Sequence, residues 1–236
     1  MTTTCDLPFP APLEPARFVR RENRFLVTVE RGGSAFSAHL HDPGRLREIL
    51  APGVELYLRA DPAPGRKTAH TVVLARHAGV LVGINSALPN ALVEACLRAG
   101  RLHEFRDYNL GAREKRLPGG GRVDFHLLTA GIDIYLEVKG ASLVRDGVAF
   151  FPDAPTTRGT RQLGDLMAIA GKGVCGTVFF LVQREDASGL RPNDETDPAF
   201  AAALRLAFRK GLEILAYTSR PSRDGLSLGR RIPVIL

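Results

Sequence analysis

The sequence predicts an α/β chain of the α+β kind: a small closed β-barrel followed by a mixed sheet flanked by helices. Short strand-like runs separated by turn chemistry fill the first third of the chain. From Asn85 onward the pattern changes to a hairpin followed by alternating helices and strands. Length agrees with this division, since 236 residues can hold one large or two modest cores.

The opening residues, Met1 to Asp6, lack a basic segment and an apolar stretch and do not read as a signal peptide. A proline-rich lead follows (Pro8, Pro10, Pro12, Pro15) and reads as irregular. Strands are then expected over residues 17–19, 25–30, 34–39, 54–59, 71–77 and 81–84. Gly32-Gly33, Asp42-Pro-Gly44, Ala51-Pro-Gly53 and Pro62 to Gly65 supply the turns. Several short strands at this spacing indicate a small barrel. Phe25 alternates with Val27 and Val29 and is expected in its core, with a base-stacking role for Phe25 or Phe36 as the alternative.

At Asn85-Ser86 either residue can cap a helix over 88–97 that ends near Gly100, so the domains are placed at 1–85 and 86–236. Beyond it, Glu114 is expected in a basic turn. A hairpin over 122–139, a strand over 147–151, a helix over 156–170 and an apolar strand over 174–182 follow. A helix over 198–210 and a strand over 213–217 complete the reading.

The stretch Ile132-Asp-Ile-Tyr-Leu-Glu-Val-Lys139 carries the chemistry. Alternation sends Ile134, Leu136 and Val138 to one face and Tyr135, Glu137 and Lys139 to the other. A short connection at Thr129 to Ile132 sets Asp124 beside Glu137. Two carboxylates suit a hard divalent cation, which polarises a phosphate and acidifies a bound water. A rotatable ammonium then offsets charge that builds on the phosphate oxygens. Only five of the 32 basic residues are lysine, which singles out Lys139. Read alone, Glu137 and Lys139 also fit an ordinary surface pair.

On the helix over 156–170, Leu163, Leu166, Met167 and Ala170 form the apolar stripe, while Arg158, Arg161, Gln162 and Asp165 share another face. Gln162 and Arg158 can reach phosphate or water from there, or face solvent. Asp153, just before the helix, reaches the metal region or caps a turn. Cys5, Cys96 and Cys175 have no metal-ligand spacing and suggest a reducing cytoplasm. No segment has the apolar length of a membrane span. The net charge of +7 favours a polyanionic partner, and the two parts carry +3 and +4, so the basic surface spans both.

Asp124 followed by Glu137-Val-Lys139 resembles the PD-(D/E)XK nuclease signature, with Val123 where its proline would stand. Over nearly its whole length the chain resembles the sugar fermentation stimulation protein (SfsA) family. Arg24-Phe-Leu26, His41-Asp-Pro-Gly-Arg-Leu46, Ile84-Asn-Ser86, Arg122-Val-Asp-Phe125, Tyr135-Leu-Glu-Val-Lys139, Phe151-Pro-Asp-Ala154, Thr157-Arg-Gly159 and Glu213-Ile-Leu-Ala-Tyr217 carry that resemblance. The Asp42-Pro-Gly-Arg45 turn departs from the Pro-Asn-Thr-Gly run of other relatives.

The resemblance implies a DNA-binding protein with an N-terminal OB-like β-barrel and a PD-(D/E)XK nuclease-like mixed sheet flanked by helices. It implies Asp124, Glu137 and Glu114 as ligands of Mg2+ or Mn2+, with Lys139 and Gln162 completing the catalytic set. Arg20, Arg21, Arg24 and Arg45 on the barrel, with Arg158 and Arg161, are the candidate DNA contacts. His39 and His41 share a strand face, and His126 shares that of Asp124. Two functions stay open: a metal-dependent deoxyribonuclease, and a non-catalytic DNA-binding regulator of sugar (maltose) genes. An enzyme acting on a small phosphorylated molecule is a third. Oligomeric state is open between monomer and homodimer.

Overall fold

A computed structural model describes residues 6–62, 65, 67–129, 131–171 and 173–236. Residues 1–5 with Cys5, part of the Pro62 to Gly65 turn, Ala130 of the hairpin connection and Lys172 lie outside them.

The chain begins with β1 (Leu7–Pro8) and then builds a sheet from β2 (Glu14–Asn23), β3 (Leu26–Arg31), β4 (Ser34–Leu40), β5 (Glu55–Ala60), β6 (His70–His77) and β7 (Val80–Gly83). Its strand order is β4-β3-β2-β5-β6-β7, and a further β4–β6 pairing closes the first five strands into an OB-like barrel. Inward alternation makes the core of Val27 and Val29, Ala38 and Leu40, Leu56 and Leu58, and across the β5–β6 register shift Val72 and Ala75 join it. Gly32 and Gly33 both take positive φ, the two-residue turn that lets Arg31 pair with Ser34.

Two early expectations change here. The proline-rich lead is ordered, because Leu7 pairs with Leu226 in the second sheet and Pro15 pairs with Tyr57 inside β2. Phe25 is not core: it lies in the turn before β3, where its N–H donates to Asn23 Oδ1, and the residue is 43% exposed.

The second sheet follows α1 (Leu88–Arg98). The chain then runs through β8 (Asn109–Arg116), β9 (Arg122–Leu128), β10 (Asp133–Ala141), β11 (Leu143–Arg145), β12 (Val148–Phe151), α2 (Thr157–Ile169), β13 (Val174–Val182), β14 (Gly189–Pro192), α3 (Pro198–Arg209), β15 (Glu213–Pro221) and β16 (Gly225–Arg231). The order is β1-β16-β15-β13-β10-β9-β8, with β10, β13 and β15 parallel and the outer pairs antiparallel; β11, β12 and β14 form a small side sheet.

Leu92, Val93 and Cys96 of α1 cover one face against Leu136, Val138 and Phe179. Leu163, Phe200 and Leu204 of α2 and α3 cover the other against Val178 and Phe180. Each such side chain contributes roughly 1.5–3 kcal/mol on burial. Neither Asn85 nor Ser86 occupies the cap position of α1, which is Ala87. Asn85 Oδ1 instead accepts from Ala87 N–H in the preceding turn, and Ser86 Oγ donates to the His41 carbonyl. Among the described residues, no helix is long and apolar enough to cross a membrane.

Candidate active site

The antiparallel register Leu136↔Phe125 brings Asp124 next to Glu137 at the head of the β9–β10 hairpin. Val138 N–H donates to Asp124 Oδ2 at 2.8 Å and fixes the two strands' carboxylates side by side. Asp124 Oδ1 accepts from Asn90 Nδ2 of α1 at 2.7 Å. Burial raises the Asp124 carboxyl above its ordinary range, against the opposing effect of those two bonds and of Lys139.

Glu137 lies on a central strand, opposite Val178 of β13, and only 3% of it is exposed. Lys139 Nζ donates to Glu137 Oε1 at 2.7 Å and to Gln162 Oε1 at 2.7 Å, while Gln162 Nε2 also donates to Glu137 Oε1. Three side chains thus close a triangle, and all the donors fall on one carboxylate oxygen. Glu137 Oε2 is buried with no hydrogen-bond partner. Burial pushes this carboxyl up to about 7, with Lys139 pulling against it and Asp124 adding to it.

The structure unites Asp124, Glu137, Lys139 and Gln162. Glu114 stands apart in chemistry though not in place. The pairs Arg113↔Phe125 and Lys115↔Val123 bracket it opposite Asp124, so it belongs to β8 and not to a turn. Its φ is +50, it is about half exposed, and Arg122 Nε holds its carboxylate at 2.6 Å. Among the described residues, no three His, Cys, Asp or Glu side chains converge in a metal-holding group.

A cavity of about 550 Å3 adjoins this centre, lined by Arg116, Gly119, Gly120, Gly121, Arg122, Arg158, Arg161, Gln162 and Asp165. Gln162 belongs to both groove and triangle, so the basic groove opens on the Glu137–Lys139 pair. Arg158 and Arg161 were read from helical spacing. Arg116 and Arg122 were missed; their signal was position, one at each side of the Leu117 to Gly121 turn.

The barrel arginines differ in what they hold. Arg21 donates to the carbonyls of Asn23, Arg24, Asp42, Gly44 and Arg45, so its guanidinium organises the 42–46 turn. Arg20 pairs with Glu22, and Arg24 lies over the Phe25 ring at 5.5 Å. Arg45 contributes its carbonyl to Arg21 and exposes its side chain. His39 and His41 face each other with centroids 5.7 Å apart. His126 pairs with Asp133 and stacks on Tyr135, away from the triangle. Asp153 accepts from Leu46 N–H of the barrel at 3.3 Å.

Comparison with known proteins agrees with this architecture. Residues 87–225 match the family model described as the sugar fermentation stimulation protein RE domain, and residues 19–84 match the SfsA N-terminal OB domain. A sugar fermentation stimulation protein homolog of Moorella thermoacetica is 48% identical over 88% of this chain and 90% of its own length. One of Acetivibrio thermocellus is 42% identical over 95% and 97%. The solved structure of Pyrococcus furiosus SfsA in complex with Ca2+ superposes with a TM-score of 0.90, at 26% identity, covering 99% of this chain and 100% of that one. On this evidence the chain belongs to the sugar fermentation stimulation protein (SfsA) family.

Proposed function

We propose that this protein binds DNA and hydrolyses phosphodiester bonds at the Asp124–Glu137–Lys139 centre with Mg2+ or Mn2+. The observation that carries the reading is Glu137 Oε2, a buried carboxylate oxygen without a donor, beside a second, half-buried carboxylate, Asp124. An orphaned acceptor is costly to hold, and a hard cation satisfies it. Asp124 and Glu137 would hold that cation, and the Ca2+ in the related Pyrococcus furiosus structure supports an oxygen-ligand preference. When bound, the cation supplies Lewis acidity to the phosphate and acidity to a water.

The chain's own groups do the rest. Lys139, fixed by Gln162 and Glu137, offsets charge developing on the phosphate oxygens. Arg158, Arg161, Arg116 and Arg122 hold neighbouring phosphates along the groove.

One observation favours a regulator that binds without cutting: both Asp124 oxygens already accept hydrogen bonds, and Glu114 is committed to Arg122. Incubation with labelled duplex and single-stranded DNA at low salt, in Mg2+, Mn2+ or chelator, separates the two. Metal-dependent cutting that Glu137→Ala abolishes, with DNA retention kept or tightened, supports the nuclease. Salt-sensitive retention with no cutting in any metal supports the regulator, and absence of retention refutes both.

A further inference from the structure

A second cavity, of about 210 Å3, lies where the barrel meets the second sheet. Arg24, Asp42 and Gly44 form its barrel wall. Its other walls come from elements that also hold the Glu137 centre. Pro89 lines it, and the next residue, Asn90, donates to Asp124. Gly140 lines it one residue beyond Lys139, and Thr156 lines it while capping α2. Three residues of strand span about 10 Å, so Gly140 stands roughly one nucleotide from Glu137.

The walls offer acceptors. Asp42, 8% exposed, and Asp153 converge across Gly44, where an added Cβ would lie 2.9 Å from Asp42 Oδ1 and closer still to Asp153. Burial pushes the Asp42 carboxyl up to about 6, opposed by the Gly44 N–H and reinforced by Asp153. Gln183, 4% exposed, lines the same cavity with its Nε2 on the Gly140 side, while its Oε1, which has no hydrogen-bond partner, lies against Gly83. The Phe151 ring and several prolines add apolar wall. The space far exceeds a bare cation and falls below the ~300 Å3 of a drug-sized site. That is the scale of a single planar heterocycle.

We propose that this cavity receives the base of an unpaired nucleotide adjoining the phosphate at the Glu137 centre, and that it prefers guanine. Guanine presents adjacent N1–H and N2–H donors, the complement of a carboxylate edge. Thymine presents one N–H between two carbonyls, which Asp42 and Asp153 disfavour. Arg24, on the same wall, balances the nucleotide's phosphate charge. The inference rests on the DNA reading above and adds a substrate class to it: single-stranded or unpaired guanine-bearing DNA.

The test is fluorescence anisotropy of the full chain, in Ca2+, with labelled oligothymidylate and with the same oligonucleotide carrying one central guanine, inosine, adenine or cytosine. The guanine probe is expected to bind about fivefold or more tightly than oligothymidylate, with inosine, which lacks the 2-amino donor, falling between them. Asp153→Asn, checked for folding by its thermal melt, should lose the guanine preference while binding oligothymidylate at least as tightly as the wild type. Equal affinity for all five probes in the wild type overturns the base cavity and leaves DNA binding standing. A preference that Asp153→Asn retains also overturns it. No affinity for any probe at low salt overturns the DNA reading together with this one.

Discussion

Replacing Glu137 by Gln tests the electrostatics of the centre without the cation. The carboxyl titrates at 4.5 as a free group and at about 7 in the fold, raised first by burial. A raised carboxyl means that the native chain binds more protons than the unfolded chain between these values. Stability is therefore greatest below the unfolded value and falls as pH rises toward the folded one. Linkage gives a loss of about 2 to 3 kcal/mol between pH 5 and pH 8 for this group alone.

Glu137→Gln removes that loss. Leaving Lys139 without its anion adds an offset to the variant's stability, so the change of the difference with pH, rather than its size, is the readout. Asp42, also raised, contributes alike to both proteins and cancels in the difference. The assay is urea unfolding in chelator at several pH values, with the wild-type minus variant difference plotted. A difference that falls by about 2 to 3 kcal/mol from pH 5 to pH 8 agrees with the reasoning. Parallel curves would refute it, because Glu137 would then carry its charge in the fold at no cost.

Further outcomes follow from the same geometry. Lys139→Met should lower DNA cleavage about 100-fold or more while cation binding, read by calorimetry, persists. Arg158→Ala and Arg161→Ala should each weaken DNA retention without regard to sequence. Each should also flatten the slope of log affinity against log salt by about 0.9 per lost phosphate contact. Arg21→Ala leaves five carbonyls around the 42–46 turn without their donor and should cost about 1–3 kcal/mol in urea unfolding.

The sequence made the centre legible because its signals are local. Alternation across Ile134 to Lys139 separates core from site, and a short connection pairs Asp124 with Glu137. Helical spacing placed Gln162 and Arg158 on the facing helix. What escaped depends on contacts far apart in the chain. β1 pairs with β16 across more than two hundred residues, and the apolar alternation of β16 is only Leu226 and Leu228 long while that of β8 ends in a charged run. Phe25 followed a periodicity that its turn interrupts, and Glu114 owes its exposure to a left-handed backbone that no pattern encodes. Arg21 looked like a phosphate contact because charge reveals nothing about carbonyls folded around it. The cavity bounded by Asp42, Asp153 and Gln183 joins segments with no sequence relation to one another.

The central claim is that Glu137 and Asp124 hold a divalent cation, and calorimetric titration of Mn2+ into the chelator-treated protein at pH 8 tests it most directly. The account predicts a binding event that Glu137→Gln and Asp124→Asn each weaken by about tenfold or more, and that fades as pH falls below about 7, where Glu137 takes up its proton. Binding of equal strength in both variants, or none in the wild type, would contradict it.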